Sequence, residues 1–361
     1  MQRSAVIFVE PIRFFCNEIT ARDNKFQNNV STPSDSTIAI NSEFGGLRDT
    51  VLKRLQVPGR CWKWSQESAA ARVEFGADDK PDAIFPNNSL SIHQLPSGDH
   101  CVVLYPMSPG RQREIPPTLI KRLQEMEAAK LLQIVDLRDF EAQSEYLEGT
   151  GAINFSFDGE DAFISVSLRA HIEPALYLFT KTALRTKVKN VFLFRAVDAE
   201  DKPIYHTNVV GWNGHRVAAY AHRQLRFDVS LPKSLVDEAA AQGLFLHTSE
   251  EEFLNYFAAK GITYVQLSLE DVIGFAGNAL ELHVGSHVAS EGAVLIMSSK
   301  ARATLGKSAR LDTLAQLYGG EKNIIGCPAD VIEKLGGGSV RCLLAKFDTN
   351  DESFVGALFA E

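Results

Sequence analysis

Short apolar runs alternate with longer amphipathic stretches along the whole 361-residue sequence, and this alternation limits the possible folds more than any other feature. The apolar runs have the length and composition of β-strands, and we predict strands at residues 5–9, 101–104, 134–137, 163–166, 191–194, 217–220, 265–267, 293–296 and 340–344. Between several of them, apolar residues at helical spacing predict helices at residues 117–132, 172–182, 250–260 and 308–317. Alternating strands and helices indicate an α/β or α+β protein.

The third of these predicted helices carries clear signals at both ends. Ser249 can cap its start, the acidic residues 250–252 suit the positive end of the helix dipole, and Gly261 can end it. The polar run NNVSTPSDSTIAIN at residues 28–41 predicts a long loop. Since no low-complexity tract or linker divides the sequence, we predict a single domain over residues 1–361.

Charge and hydropathy exclude several classes of partner. The 37 Lys and Arg residues are outnumbered by 45 Asp and Glu residues, so a basic surface for nucleic-acid phosphates is not expected. The apolar runs are far shorter than the roughly 18 to 20 residues of a membrane span, and the first residues lack the pattern of a secretory signal. We therefore expect a soluble, cytoplasmic protein with a small-molecule partner; whether it forms a homo-oligomer is left open.

The five cysteines are Cys16, Cys61, Cys101, Cys327 and Cys342. Their number is odd and they form no C-x-x-C pair, so neither a disulfide framework nor a zinc site is predicted. The sequence also lacks a G-x-x-x-x-G-K-[ST] loop and a G-x-G-x-x-G turn that opens a helix. We therefore expect chemistry that needs no metal and no organic cofactor.

Two segments carry groups suited to nucleophilic catalysis. Cys342 follows three glycines and a serine at a predicted strand entrance, where the thiol could approach a ligand closely and react as a thiolate. His206 lies at another predicted strand entrance and would share a strand face with Asn208. Its imidazole could take the thiol proton and return it to a leaving amine. Taken singly, Cys342 could be an ordinary strand residue and His206 a structural histidine.

Two further segments offer a carboxylate and amides in predicted turns. The turn YLEGTG at residues 146–151 would project Glu148, which could orient an imidazole or bind a donor-rich substrate. The segment PDAIFPNNS at residues 81–89 contributes the amides of Asn87 and Asn88. Each segment alone is typical of an ordinary turn, so the prediction of a site depends on their combination.

Taken in order, these segments resemble the guanidine-modifying enzymes, which include arginine deiminases, dimethylarginine dimethylaminohydrolases and amidinotransferases. The sequence is most similar to the branch of citrulline-utilisation hydrolases. The motifs that carry this resemblance are collinear over most of the chain: FCNEITARDNKFQ (15–27), FPNNS (85–89), YPMSPGRQRE (105–114), LEGTG (147–151), PIYHTNVV (203–210), GNALEL (277–282) and GGGSVRCLLA (336–345).

The resemblance implies a five-bladed α/β propeller, the pentein fold, with pseudo-fivefold symmetry and a site in its central cavity. It also implies that Cys342 is the nucleophile, His206 the general acid and base, and Glu148 the carboxylate of the Glu-Gly turn. Asn88 and Asn208 stand where arginine-processing members carry aspartates. Because amides donate as well as accept, such a pocket suits a neutral ureido group better than a guanidinium.

The expected reaction is therefore the hydrolysis of citrulline to ornithine, ammonia and carbon dioxide through a covalent intermediate on Cys342. The substrate α-carboxylate needs a cation, for which Arg111 and Arg113 are candidates, and Asn278 is a further candidate for substrate binding. Two alternatives keep the fold. One is an enzyme that acts on arginine or methylarginine as a deiminase, dimethylaminohydrolase or amidinotransferase, and the other is a non-catalytic binding protein.

Overall fold

A computed structural model describes residues 2–27, 33–289 and 292–360 of the chain. Short strands and helices alternate through these residues. The strands are β1 (Arg3–Glu10), β2 (Gly59–Lys63), β3 (Leu90–Gln94), β4 (His100–Leu104), β5 (Gln133–Asp136), β6 (Ile153–Phe155), β7 (Asp161–Ser165), β8 (Asn190–Ala196), β9 (Gly211–Asn213), β10 (Val217–Tyr220), β11 (Leu225–Arg226), β12 (Phe245–His247), β13 (Thr263–Gln266), β14 (Leu280–His283), β15 (Ala293–Ser298), β16 (Ile324–Cys327) and β17 (Ala345–Thr349).

The strands of the described residues form five small sheets with one repeated plan. The sheets are β17-β1-β2, β3-β4-β5, β6-β7-β8 with β11 and β12 beside β8, β9-β10-β13, and β14-β15-β16. In each sheet a central strand pairs antiparallel with one neighbour and parallel with the other; the central strands are β1, β4, β7, β10 and β15. A parallel pair needs a crossover connection, which explains the helices between strands.

Shared hydrophobic cores join these sheets into a closed ring. The central strand β1 shows why, because Ala5 and Ile7 pack with residues of β3 and β4, whereas Val6 and Phe8 pack with residues of β14 and β15. Both faces of such a strand are buried, so its side chains alternate between two neighbouring cores. Two further clusters connect the second sheet to the third, and the third to the fourth and fifth.

Helices lie between the strands. The α-helices are Pro33–Ile38, Gly45–Asp49, Ala69–Phe75, Pro117–Ala128, Gly149–Ala152, Ile172–Lys181, Thr207–Val210, Lys233–Ala241, Glu250–Ala259, Leu269–Ile273, Ser299–Leu305, Arg310–Leu317, Asp330–Gly336 and Glu352–Phe359, and π-helical turns are Ala39–Phe44 and Thr50–Arg54. The 3₁₀ turns are Thr20–Arg22, Trp64–Gln66, Ala77–Asp79, Pro81–Ile84, Pro86–Asn88, Arg138–Gln143, Ala183–Thr186, His222–Gln224, Glu321–Asn323 and Val340–Leu343. Within the described ranges, no helix combines the length and apolar composition needed to cross a membrane.

Most of the secondary-structure predictions are confirmed. The four predicted helices form within their predicted bounds, and Ser249 caps its helix by accepting from the Glu252 N–H. Every predicted strand except the last overlaps an observed one.

Three local predictions are wrong. Instead of a strand at residues 340–344, the chain forms the 3₁₀ turn Val340–Leu343 before β17, and His206 is the N-cap of the short helix Thr207–Val210. Of the predicted loop at 28–41, residues 28–32 lie outside the described residues and residues 33–41 are helical. Apolar content alone did not distinguish these turns and helices from strands and loops.

Candidate active site

Five equivalent turns place the predicted site residues. In each sheet, the strand antiparallel to the central strand is preceded by a short turn or segment, and each contributes to the site: Asn88 before β3, Glu148 before β6, His206 and Asn208 before β9, Asn278 before β14, and Cys342 before β17. The ring of sheets therefore brings together residues that are far apart in sequence. Arg111 comes from a longer loop after β4.

Two carboxamides surround the Cys342 thiol. Nδ2 of Asn278 lies 3.2 Å from the sulfur, Nδ2 of Asn208 lies 3.5 Å from it, and the thiol is 3.6 Å from Oδ1 of Asn278. The Asn278 side chain is fixed by the Arg341 N–H, which donates to its Oδ1 at 3.1 Å, and by its own donation to the Asn208 carbonyl at 3.1 Å. Burial raises the pKa of Cys342, and the amide donors act in the opposite direction.

His206 lies against Glu148. Nε2 of the ring is 2.9 Å from Oε2 of the carboxylate, although the ring N–H is not aligned for a hydrogen bond to it. Burial lowers the pKa of His206, while the neighbouring carboxylate acts in the opposite direction. Burial would raise the pKa of Glu148, but Arg111 and Arg169 hold it well below its ordinary value. A neutral imidazole therefore lies beside a permanent anion.

Two glycines permit this close packing. A Cβ at Gly151 would lie 2.3 Å from Oδ1 of Asn88 and 2.8 Å from Nδ1 of His206. Gly149 has a φ of +45°, and a Cβ there would lie 2.6 Å from the Asn88 carbonyl oxygen. The Glu-Gly motif thus brings the turns that carry Asn88, Glu148 and His206 into contact.

A buried ion cluster supports Glu148. The Arg111 guanidinium donates to Glu148 at 2.8 Å and to Glu114 at 2.8 and 3.1 Å, and its Nε lies 3.8 Å from Asp82. Arg169 lies 3.7 Å from Glu148. Every donor group of Arg111 thus faces a protein acceptor, including the Asp82 carbonyl at 3.3 Å. Arg113, in contrast, is exposed and lies over the Phe75 ring.

Sequence reasoning missed Asp82, Arg169 and Glu114. Asp82 was within reach, because it belongs to the quoted segment at residues 81–89. Its Oδ2 accepts from Asn17 at 2.9 Å and from Thr20 at 3.0 Å, whereas its buried Oδ1 has no partner among the described residues. Glu114 was also within reach, because it lies three residues after Arg111 in the quoted segment at residues 105–114. Arg169 carries no local signal, since its contacts with Asp23 and Glu148 are distant in sequence.

Cys342 and His206 line one small cavity, together with Asp82, Asn88 and Arg169. The cavity has a volume of about 10 Å³, which is close to the space of one water molecule. Three buried acceptors of the surrounding residues lack hydrogen-bond partners within the described chain: Oδ1 of Asp82, Oδ1 of Asn88 and Oδ1 of Asn208. Such a group of unpaired acceptors suits a ligand rich in N–H groups.

The segment at residues 17–27 covers this cavity. Thr20 and Asn24 line it, and Arg169 holds the segment by donating to the Thr20 carbonyl at 2.8 Å and to the Asp23 carboxylate. Lys25 adds an ion pair with Asp198 on the outer side. At its present volume the cavity holds nothing much larger than a water molecule, so a larger ligand requires this segment or another part of the lining to move. Among residues 2–27, 33–289 and 292–360, no group of three or more His, Cys, Asp or Glu side chains could hold a metal ion.

The chain is similar to proteins that process guanidino compounds. The sequence profile of the eukaryotic N,N dimethylarginine dimethylhydrolase family matches residues 72–348, more than half of the chain. No curated protein has a significantly similar sequence.

Solved structures share the fold at low sequence identity. The N-terminal domain of ArgZ, a cyanobacterial arginine dihydrolase, covalently bound to a reaction intermediate, matches with a TM-score of 0.59 and 16% identity over 95% of this chain and 97% of that chain. AgrE with ornithine and NAD⁺ matches with a TM-score of 0.62 and 15% identity, over 95% of this chain and 39% of AgrE. A dimethylarginine dimethylaminohydrolase adduct with S-methyl-L-thiocitrulline matches with a TM-score of 0.56 and 13% identity, over 96% of this chain and all of that one. The predicted pentein fold is confirmed.

Proposed function

Because the chain belongs to the N,N-dimethylarginine dimethylhydrolase family, within the guanidine-modifying superfamily, we propose that it hydrolyses the ureido group of citrulline or a close analogue. The protein is a hydrolase that acts on carbon–nitrogen bonds. The observation that carries the proposal is the position of the Cys342 sulfur, between two carboxamide donors and in the cavity that His206 also lines.

In the first step the sulfur attacks the ureido carbon. The buried thiol and the buried imidazole are both neutral at rest, so His206 takes the thiol proton as the carbon–sulfur bond forms. Glu148, 2.9 Å from the ring, stabilises the resulting imidazolium. Amide N–H groups, of Asn88 or Asn208 or of the backbone, are suited to hold the developing oxyanion.

In the second step the carbon–nitrogen bond breaks. His206 returns the proton to the δ-nitrogen, ornithine leaves, and a carbamoyl group remains on Cys342 as a thiocarbamate. Water, deprotonated by His206, then attacks the carbamoyl carbon and releases the thiol and carbamate. Carbamate breaks down to ammonia and carbon dioxide, so one water is consumed for each citrulline.

The amides favour the neutral substrate. A ureido group presents one carbonyl acceptor and several N–H donors, and a carboxamide can serve either kind of group. The unpaired Oδ1 atoms of Asn88 and Asn208 can accept from the substrate NH₂ group. We therefore retain citrulline as the preferred substrate.

We assign the substrate α-carboxylate to Arg169 rather than Arg111. Arg111 is committed to Glu114 and Glu148, whereas Arg169 lines the cavity and holds the Asp23 carboxylate of the covering segment. When that segment moves, Asp23 leaves with it, and a substrate carboxylate can take its place on the guanidinium. Asn278 then acts on the sulfur rather than on the substrate carboxylate.

Asp82 supports a second candidate, arginine or a methylated arginine. Its unpaired carboxylate oxygen at the cavity could bind a cationic guanidinium, and the matching family profile is named for dimethylarginine. Attack on the guanidino carbon by the same sulfur would release ammonia or a methylated amine and leave a ureido product. This candidate requires no change in the roles of Cys342 and His206.

Product analysis tests the two candidates. The purified protein is incubated separately with citrulline, arginine and dimethylarginine, and ornithine, citrulline, ammonia and dimethylamine are measured. We expect ornithine and ammonia in equal amounts from citrulline, at a higher kcat/KM than for arginine. Faster turnover of arginine or dimethylarginine would replace the proposed substrate by the second candidate. Absence of turnover with all three would favour a non-catalytic binding protein.

A further inference from the structure

A second cavity lies on the other side of the five turns. It is lined by residues of the strands that these turns precede, among them His93 of β3, Asn213 of β9 and Glu281 of β14. It shares no lining residue with the Cys342 cavity, and its volume of about 120 Å³ is larger. Arg341 lines this second cavity although its neighbour Cys342 lines the first. The proposed reaction uses no group of this second cavity.

The acidic side chains of this second cavity are already neutralised. Glu281 accepts from His283 at 2.8 Å, from the His215 N–H at 2.8 Å and from the Tyr318 hydroxyl at 2.6 Å. Asp348 accepts from Ser4 at 2.7 Å and pairs with His283 at 3.2 Å and with Lys346 at 2.5 Å. Both carboxylates therefore have their own partners and are not available to a further cation.

Arg341 has no such partner. The residue is 8% exposed, and its guanidinium makes no ion pair and no side-chain hydrogen bond within residues 2–27, 33–289 and 292–360. Burial lowers the pKa of Arg341 to about 10, so it is still a cation at neutral pH. A second cation, Lys187, lines the same cavity and donates only to the uncharged Gln94 carbonyl, at 2.6 Å. A buried guanidinium without a counter-ion is costly, and a bound anion would remove most of that cost.

We propose that this cavity is a binding site for a small planar oxyanion, a carboxylate or bicarbonate, held by Arg341 with Lys187. The fork of guanidinium N–H groups matches two oxygens of such an anion, and the volume of the cavity admits an anion of this size with a few waters. The site is independent of the proposed reaction.

Thermal unfolding of the full chain at low ionic strength tests this proposal. Sodium formate and sodium bicarbonate serve as probes for the two kinds of oxyanion, and sodium chloride at equal ionic strength is the control. We expect a saturable rise in Tm with formate, with bicarbonate or with both, beyond the rise with chloride. Isothermal titration supplies the dissociation constant, and the stronger of the two probes identifies the natural class of anion. Equal responses to all three salts would overturn the proposal.

Variants assign the effect to Arg341. Without added oxyanion, Arg341→Gln should have a Tm equal to or above that of the parent, because the variant removes an unpaired buried charge. With formate or bicarbonate this order should reverse, and the affinity for the anion should fall at least about tenfold. Arg113→Gln, which removes an exposed arginine, should keep the full response. If Arg341→Gln does not fold, Lys187→Met decides, since unchanged affinity in that variant would contradict the site.

Discussion

Two sides of the Cys342 cavity are built from different chemistry. The ionic side, formed by Asp82, Arg111, Glu114, Glu148 and Arg169, is joined by ion pairs of 2.8 to 3.8 Å, and its Glu148 lies 2.9 Å from Nε2 of His206. The amide side, formed by Asn208 and Asn278, holds the Cys342 sulfur through neutral donors at 3.2 and 3.5 Å. Burial disfavours the charged forms of both Glu148 and Cys342. On the ionic side the neighbouring arginines overcome this effect and lower the pKa of Glu148, whereas on the amide side the pKa of Cys342 stays raised.

This difference separates two tasks. The ionic side fixes an anion that can stabilise a protonated His206, whereas the amide side leaves the thiol neutral until a substrate is present. A permanently ionised thiolate would be open to oxidation and to metals, and a buried neutral thiol is protected from both. We therefore expect changes on the ionic side to alter stability and catalysis together, and changes on the amide side to alter mainly catalysis and substrate preference.

The largest expected effect is that of Cys342→Ser. The serine hydroxyl ionises far less readily than the thiol, so turnover of the preferred substrate should fall by at least about three orders of magnitude. The Tm should stay within a few degrees of the parent, because the substitution nearly preserves volume. Rates and Tm are measured on the same preparation. Full turnover by this variant would dismiss Cys342 as the nucleophile.

The next effect is the loss of stability in Glu148→Gln. Removal of this buried charge leaves Arg111 and Arg169 with one carboxylate fewer, which should cost about 3–5 kcal/mol of unfolding free energy at neutral pH. Because the pKa of Glu148 is lowered in the folded state, its contribution is present above the ordinary pKa of 4.5 and is lost as pH falls through the folded value. The free energy of unfolding of the parent should therefore rise as pH increases from acidic values, and the variant should lack this rise. Chemical denaturation at several pH values measures both.

Glu114→Gln is the matched control on the same arginine. Burial and the neighbouring Asp82 raise the pKa of Glu114 to about 8, even though Arg111 lies beside it. The stability from this protonated group is present below its ordinary pKa and is lost as pH rises toward about 8. Glu114→Gln should therefore cost less than Glu148→Gln near neutral pH and should flatten the decline above pH 4.5. Equal losses of unfolding free energy in the two variants near neutral pH would contradict this assignment, because they would mean that the negative charge is shared between Glu114 and Glu148.

Substrate preference is the next smaller effect, and it concerns the amide side. Asn88→Asp and Asn208→Asp each add a carboxylate at an oxygen that now lacks a partner, so the ratio of kcat/KM for arginine to that for citrulline should rise about tenfold. Asn88→Ala separates the added charge from the lost amide, because it should reduce both rates without raising the ratio. An unchanged ratio in both aspartate variants would remove the argument from pocket charge.

Much of the site could be predicted because each of its turns has a local signature. Close packing requires glycine at Gly149 and Gly151 in the Glu-Gly turn, and the sharp turn before Cys342 requires the glycines that precede it. These residue types therefore made both positions recognisable in the sequence. The helix at Glu250–Ala259 was predictable for a similar reason, since its capping serine and first-turn acids are local. In addition, the assignment to the superfamily depended on the collinear order of the motifs, because residue spacing alone did not indicate it.

What could not be predicted depends on contacts between distant segments. Arg111 was expected on the substrate carboxylate, yet it lies among Asp82, Glu114 and Glu148, and nothing in SPGRQRE indicates which carboxylates it meets. Arg169 lies in a loop without a recognisable motif, and its place in the site follows only from its contacts with Asp23 and Glu148. The ring closure is also tertiary, because the two faces of β1 meet different cores.

The smallest expected effect concerns the covering segment at residues 17–27. A variant there tests whether the position of this segment depends only on its contacts with the ionic side. Its contacts with Asp82 and Arg169 lie on the ionic side, whereas Lys25 binds Asp198 outside the cavity and is half exposed. Because Lys25 is half exposed, its ion pair with the buried Asp198 contributes on the order of 1 kcal/mol, so Lys25→Met should change KM or the rate of substrate entry by no more than about fivefold. The rate of the chemical step, measured in single turnovers, should be unchanged.

Lys181→Met is the matched control for this last prediction, because Lys181 is also half exposed and its ion pair with Glu238 involves no residue of the covering segment. It should leave KM and substrate entry unchanged. If Lys25→Met slowed the chemical step as well, the segment would position catalytic groups rather than only admit substrate, since loosening its outer end would then disturb Asp82 and Arg169. The separation between the ionic side and substrate entry would in that event be lost.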